Sequence, residues 1–219
     1  ARLESIVRYA VVRKQRNRGS FFMSDHDPNS AEALQIGFRP RCMQGLVAGS
    51  FSALSWMGKF LPVARPQRHG VERVQDVAYS DTGQPTHTLD VYCPVEQTGL
   101  RPVVLYIHGG GFQHMSKDSH WLMGLAFARR GYLVFNINYR LGPEHPYPAA
   151  LEDACAAWLW VQQHAAEYGG DPNSMVLAGE SAGANLAMAL TIACCYQRPE
   201  AWARDVYDAG VVPRVIAPA

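Results

Sequence analysis

No apolar run reaches 18 residues anywhere in the 219-residue chain, so no membrane span is predicted. Charge of one sign is equally scarce. A formal net charge of +1 argues neither for nucleic acid nor for an acidic partner. Cysteine is sparse and odd in number: Cys42, Cys93, Cys155, Cys194 and Cys195 show no framework spacing, and three of them lie in helix-like apolar runs. They read as reduced thiols, which points to a cytoplasmic protein. The opening Ala1-Arg2-Leu3-Glu4 does not have the form of a signal peptide. Internal repeats and low-complexity tracts are missing too. With 48% hydrophobic and 18% charged residues the chain is expected to be globular, an α/β domain or a large part of one.

Two regions differ in character. Residues 1–70 read as an N-terminal helical segment. Leu3, Ile6, Val7, Ala10 and Val11 recur at helical spacing, a basic cluster follows (Arg13, Lys14, Arg16, Arg18), and Leu46, Phe51, Leu54, Met57 and Leu61 mark another apolar side. The basic cluster suits a solvated helix end. Pro62, Pro66 and Gly70 then break the pattern. Residues 71–219 alternate strands and helices. Val74–Tyr79 and Thr88–Tyr92 flank a turn composition and read as a hairpin. Pro102–Ile107 and Tyr132–Ile137 are near-continuous apolar runs, as expected of strands buried on both faces. Helices are predicted over Ser119–Arg130 and Pro148–Tyr168, with Gly131 and Gly169-Gly170 just past their ends. Asp171-Pro172-Asn173 reads as a turn into a strand at Met175–Ala178, and Val211–Ala219 as the start of a further strand. Strands alternating with helices imply βαβ units and a mostly parallel sheet.

Three stretches carry chemistry. Gly179-Glu180-Ser181-Ala182-Gly183 is G-x-S-x-G between an apolar run and a small-residue helix, the strand–turn–helix context of a nucleophile elbow. Alone, such a pattern arises by chance in roughly one chain in fifteen of this size. His108-Gly109-Gly110-Gly111-Phe112 ends the Pro102–Ile107 run. Three successive glycines let backbone N–H groups turn outward, and such donors stabilise a tetrahedral oxyanion by about 10²–10³ in rate each. The stretch fits neither nucleotide-binding fingerprint. The third stretch is Asn138-Tyr139-Arg140-Leu141-Gly142-Pro143-Glu144-His145-Pro146-Tyr147-Pro148-Ala149-Ala150-Leu151-Glu152-Asp153.

Together the three resemble the bacterial hormone-sensitive-lipase-like branch of the α/β hydrolases, over roughly Arg101–Cys195. The resemblance implies an α/β-hydrolase fold with a mostly parallel central sheet, flanking helices and an N-terminal helical cap over residues 1–70. It implies a carboxylic-ester hydrolase acting on short acyl or small aromatic esters, with no cofactor. Ser181 would be the nucleophile. The N–H groups of Gly110, Gly111 and Ala182 would form the oxyanion hole, with Gly109 shaping the loop. Phe112 and apolar residues of the N-terminal helices would wall the pocket. His108 would be structural, and Arg140, Glu144 and Asp153 a buried ionic brace. Gly142 and Glu180 stand where Ala and Asp are commoner in that branch.

A serine nucleophile needs a histidine base held by an acid, and in this fold both follow the serine in the chain. All eight histidines precede Ser181. The triad acid and histidine are therefore expected from a C-terminal part of the fold, supplied by the same or a second chain and absent from these residues. A receptor-like relative that binds small molecules without catalysis is the alternative. An upstream base, for which only His114, His120 and His145 qualify, runs against the order of the fold. His108, His114, Asp118 and His120 match no common zinc spacing and read as exposed loop residues, so no metal is expected. The expected partner is a small ester, without nucleic acid; a homodimer is left open.

Overall fold

Alternate residues of the two apolar runs end up on opposite sides of one sheet, which is why both runs are continuous rather than patterned. The computed structural model describes Gly58, residues 61–96 and residues 99–218. The helices and basic cluster expected before residue 58 lie outside the described residues. Among the described residues six strands, β1 (Val71–Ala78), β2 (Thr88–Pro94), β3 (Arg101–Ile107), β4 (Leu133–Ile137), β5 (Gly170–Gly179) and β6 (Val215–Pro218), lie in the order β1-β2-β4-β3-β5-β6. β1 and β2 form the expected hairpin, and β2 also runs antiparallel to β4. The pairings β4–β3, β3–β5 and β5–β6 are parallel.

Among the described residues four longer helices flank the sheet: α1 (Trp121–Ala128), α2 (Ala149–His164), α3 (Ala182–Cys195) and α4 (Ala201–Asp208). Val103, Leu105 and Ile107 of β3 join Leu133, Phe135 and Ile137 of β4 in one core with Trp158 and Val161 of α2 and Leu186 and Leu190 of α3. The intervening Val104, Tyr106 and Val134 pack with Leu125 and Ala128 of α1 on the other face. A period-2 backbone between two helical layers thus buries Val103–Ile107 and Leu133–Ile137 without a break. Each large side chain so buried contributes about 1.5–3 kcal/mol. On the α1 side the approach is close: a Cβ on Gly124 would sit 2.5 Å from the Tyr92 ring.

One expectation needs correction, and one element was not anticipated. Asp171-Pro172-Asn173 is not a separate turn; it belongs to β5, beside a register irregularity at Pro102/Val103 that absorbs the proline. Helix α4 has no counterpart in the sequence reading. At eight residues it offers only two buried positions, Ala203 and Val206, too short a pattern to stand out before the sheet supplies a partner.

The parallel registers align the C-terminal ends of three neighbouring strands. Ile107 pairs with Ile137 on one side and Gly179 on the other. The segments that leave these strands, beginning at His108, Asn138 and Glu180, therefore emerge side by side. They are the three stretches singled out in the sequence, at the sheet edge where open α/β folds place their ligands.

Candidate active site

Ser181 joins β5 to α3 with φ 49° and ψ −113°, a region that L residues avoid at a cost of about 1–3 kcal/mol. The turn is held by the N–H of Gly183 donating to Glu180 O (2.8 Å) and that of Asn185 to Ser181 O (3.1 Å). Its hydroxyl caps no N–H of α3, and the residue is exposed. The two motif glycines are there for space. A Cβ on Gly183 would come within 2.0 Å of Ile107 O, and one on Gly179 within 2.7 Å of the Gly183 backbone. Strand β3, strand β5 and helix α3 meet backbone to backbone under the serine.

The glycine loop lies against this elbow. A Cβ on Gly109 would sit 3.0 Å from Glu180 O. Gly110 (φ 113°) accepts the N–H groups of Gln113 and His114 on its carbonyl, and a Cβ there would meet His114 O at 2.1 Å. Gly111 and Phe112 both have φ 62°. Phe112 O accepts the N–H of Gly142 at 2.8 Å, tying the glycine loop to the segment after β4. Among the described residues, the N–H groups of Gly110, Gly111 and Ala182 donate to no backbone carbonyl in these turns. Half-exposed Phe112 lines a cleft of ≈ 270 Å³ with Gly111, Tyr147, Asn185, Leu186 and Ala189.

His108 is buried beneath the loop. Its Nδ1 faces Gly109 O at 2.7 Å, its ring stacks on Tyr139 at 4.3 Å, and Tyr139 Oη donates to His108 O at 2.9 Å. Burial, reinforced by the nearby His120 and opposed by the bond to Gly109, lowers its pKa from 6.5 to about 3. A neutral ring with Nδ1–H donating to Gly109 suits a structural role.

The expectation of exposed loop histidines is corrected for two of the three. His108 and His120 are buried, at 1% and 3% exposure, and only His114 is exposed. Among the described residues no group of three or more His, Cys, Asp or Glu side chains could hold a metal ion.

The ionic brace also differs in membership. Asp153, buried at 3%, accepts the Arg140 backbone N–H (2.8 Å) and its Nε and NH2 groups, and faces His87 Nε2 at 3.1 Å. Glu152, not Glu144, is the second carboxylate on Arg140, at 2.9 Å; Glu144 is exposed. Hydrogen bonding to Asp153 is the largest of the influences that raise the Arg140 pKa. Glu152 stands next to Asp153 in the first turn of α2, whereas Glu144 lies in the loop ahead of the helix.

A further buried ion pair was not visible in the sequence. Lys117 Nζ reaches Asp90 Oδ1 (2.8 Å) and Asp76 Oδ1 (2.6 Å), while Arg73 Nε donates to Asp90 Oδ2 (2.9 Å). The Lys117 backbone is held by Asn138 Oδ1 and by Asn136 Nδ2. The far end of the glycine loop is thereby pinned to β2 and β4. Nothing in the local pattern around Lys117 signals it, because its partners stand 27 and 41 residues away.

Residues 104–206, which contain all three stretches, match the model of a family described as alpha/beta hydrolase fold. Carboxylesterase NlhH of Mycobacterium tuberculosis is 45% identical over 98 residues, which are 44% of this chain and 31% of that protein. Isoprenylcysteine alpha-carbonyl methylesterase ICME of Arabidopsis thaliana is 33% identical over 152 residues, 69% of this chain and 35% of that protein. The chain thus spans about a third of the length of the curated relatives it matches. Among solved structures, a bacterial heroin esterase superposes with a TM-score of 0.62 at 28% identity, over 81% of this chain and 53% of that one. An esterase of Pyrobaculum calidifontis gives 0.51 at 32% identity, over 69% and 47%. Strand order, elbow, family match and solved structures agree that the chain has the α/β-hydrolase fold.

Proposed function

We propose that this chain carries the nucleophile and oxyanion loop of a serine carboxylesterase of the hormone-sensitive-lipase-like branch. The observation that carries the reading is the backbone of Ser181, forced to φ 49° at the head of α3 with the glycine loop packed against the residue before it. Such a strained serine persists only where the surrounding contacts over-determine it.

In this mechanism Ser181 Oγ attacks the ester carbonyl carbon and its proton passes to a histidine base. The oxyanion is met by the N–H groups of Gly110, Gly111 and Ala182. The alcohol leaves with that proton, an acyl-enzyme remains, and water releases the carboxylic acid. The 14-residue helix α3 adds its positive end to the same place. The base and its acid are proposed to come from sequence outside these 219 residues, in the same or a second chain. Three observations support this: no histidine follows Ser181, buried His108, His120 and His87 are engaged with Gly109, Glu180 and Asp153, and the matched stretches take up only 31% and 35% of the two relatives. Short acyl or small aromatic esters suit the apolar cleft beside Phe112. A cytoplasmic location is proposed on the reduced thiols; no described helix is long and apolar enough to cross a membrane.

The test is Ser181→Ala in the full-length natural protein, assayed on p-nitrophenyl acetate and butyrate. Turnover should fall by about 10⁶. Binding of the esters without turnover in the unsubstituted protein would point instead to a receptor-like relative.

A further inference from the structure

We propose that Glu180 and His120 form a positioning pair that sets the spacing between Ser181 and the oxyanion donors; this rests on the esterase reading above. Glu180 Oε1 and His120 Nε2 are 2.6 Å apart. Glu180 is the residue immediately before the nucleophile, and His120 immediately precedes α1 on the other side of the glycine loop. Between them lies Gly109. A Cβ there would be 3.0 Å from Glu180 O and 3.3 Å from both its Cγ and Oε1. The Glu180 side chain therefore folds over the first glycine of the loop before reaching the imidazole, and the glycine's bare face is what admits it.

His120 is itself fixed. Its Nδ1 faces Ser119 Oγ (2.9 Å) and Ser116 O (3.2 Å), and Asn136 Nδ2 donates to its carbonyl at 3.4 Å. Its ring stacks on His108 at 5.5 Å, and His108 in turn stacks on Tyr139. The carboxylate of Glu180 thus links the elbow to a rigid column of rings standing under the glycine loop. A charge-assisted hydrogen bond of this length is among the stronger side-chain contacts. Ser181 Oγ makes no hydrogen bond to either member among the described residues, so neither is a proton acceptor for the nucleophile; both act on it through the backbone. The Glu180 side chain is 38% exposed while His120 is 2% exposed, so loss of the imidazole leaves the carboxylate in contact with water rather than as a buried bare charge.

The experiment uses the full-length natural protein, with Glu180→Gln, His120→Phe and the double variant. Phenylalanine keeps a ring against His108 but removes the Nε2 donor. Functional serine is counted by stoichiometric phosphonate labelling, and kcat and KM for p-nitrophenyl butyrate are expressed per labelled site. Each single variant should lose about 10- to 100-fold in kcat with KM changed less than about twofold, since a displacement of 1 Å can cost 10² in rate. The double variant should lose no more than either single one, because one link is cut in all three. Wild-type kcat per labelled site in Glu180→Gln, with only thermal stability reduced, would overturn the pair as a positioning device. Additive losses in the double variant would overturn it as well. Absence of ester turnover in the unsubstituted protein would instead overturn the esterase reading on which the pair rests. Should His120→Phe fail to fold, the half-exposed Glu180→Gln decides.

Discussion

Gly183 is where local and tertiary preferences oppose each other most sharply. Taken as the second residue of a 14-residue helix, Gly183→Ala should stabilise the protein by about 1 kcal/mol, the difference in helix propensity. The structure reverses the sign. A Cβ at this position would stand 2.0 Å from Ile107 O, 2.6 Å from His108 O and 2.7 Å from Ile107 C. All three are backbone atoms of β3 and its exit, held by pairing to β4 and β5 on both sides, so no side chain can swing away. Relief requires moving α3 and the end of β3 apart by about 1 Å or more, given ordinary contact distances. Overpacking of a dense core costs about 1–3 kcal/mol, and occasionally more when backbone must move. Taking about 3 and subtracting the propensity gain leaves a net loss of about 2 kcal/mol. The same displacement separates Ser181 from the glycine loop, so kcat should fall by about 10²-fold. Urea unfolding of the natural protein and its Gly183→Ala variant measures the first quantity, with m-values compared to exclude a change in the unfolded state. A variant as stable as the parent, or more so, would refute the steric argument.

Other consequences of the structure can be measured alongside. Asp153→Ala should cost about 3–5 kcal/mol, because it strands Arg140 and His87 beside a buried site, whereas Glu144→Ala should change unfolding free energy by less than about 0.5 kcal/mol. Equal effects would return Glu144 to the brace. His108 supplies a pH dependence. Its folded pKa lies at about 3 against an ordinary 6.5, so the unfolded chain binds the extra proton first as pH falls. Its contribution to stability is complete above pH 6.5 and is lost progressively down to about pH 3. By pH 5 the loss amounts to about 2 kcal/mol. His108→Gln should flatten the stability profile across that window relative to the parent; parallel profiles would show that the ring titrates normally in the fold.

The elements most legible in the sequence are those whose cause is local. Continuous apolar runs at Pro102–Ile107 and Tyr132–Ile137 became the central strands β3 and β4, since burial on both faces removes the polar alternation that an exposed strand shows. Gly131 and Gly169 sit just past α1 and past the helical turn that follows α2, both at positive φ, as the chain reversals require. The elbow was legible for the same reason: Gly179, Ser181 and Gly183 fall in five consecutive residues, and their identities record the backbone geometry. Less legible were α4, whose eight residues pattern too briefly, and the proline-bearing start of β5, whose ladder depends on an irregular partner.

By itself, then, the sequence determined the strand–helix alternation, the hairpin, the position of Ser181 and the glycine loop, because each depends on residues near one another in the chain. Only the tertiary structure decided what holds them. The bonds Glu180–His120, His87–Asp153 and Lys117–Asp90 bridge 60, 66 and 27 residues. No periodicity records such partners. A histidine that ends on Glu180 and one that ends in solvent are the same letter in the chain, and the packing of β3, β5, α1 and α3 around the C-terminal edge of the sheet is what separates them. The same holds for Glu144 and Glu152. One lies in the loop before α2 and faces water, the other lies one turn into the helix and meets Arg140. Charge is written in the sequence, but the distance across which it acts is set by the fold.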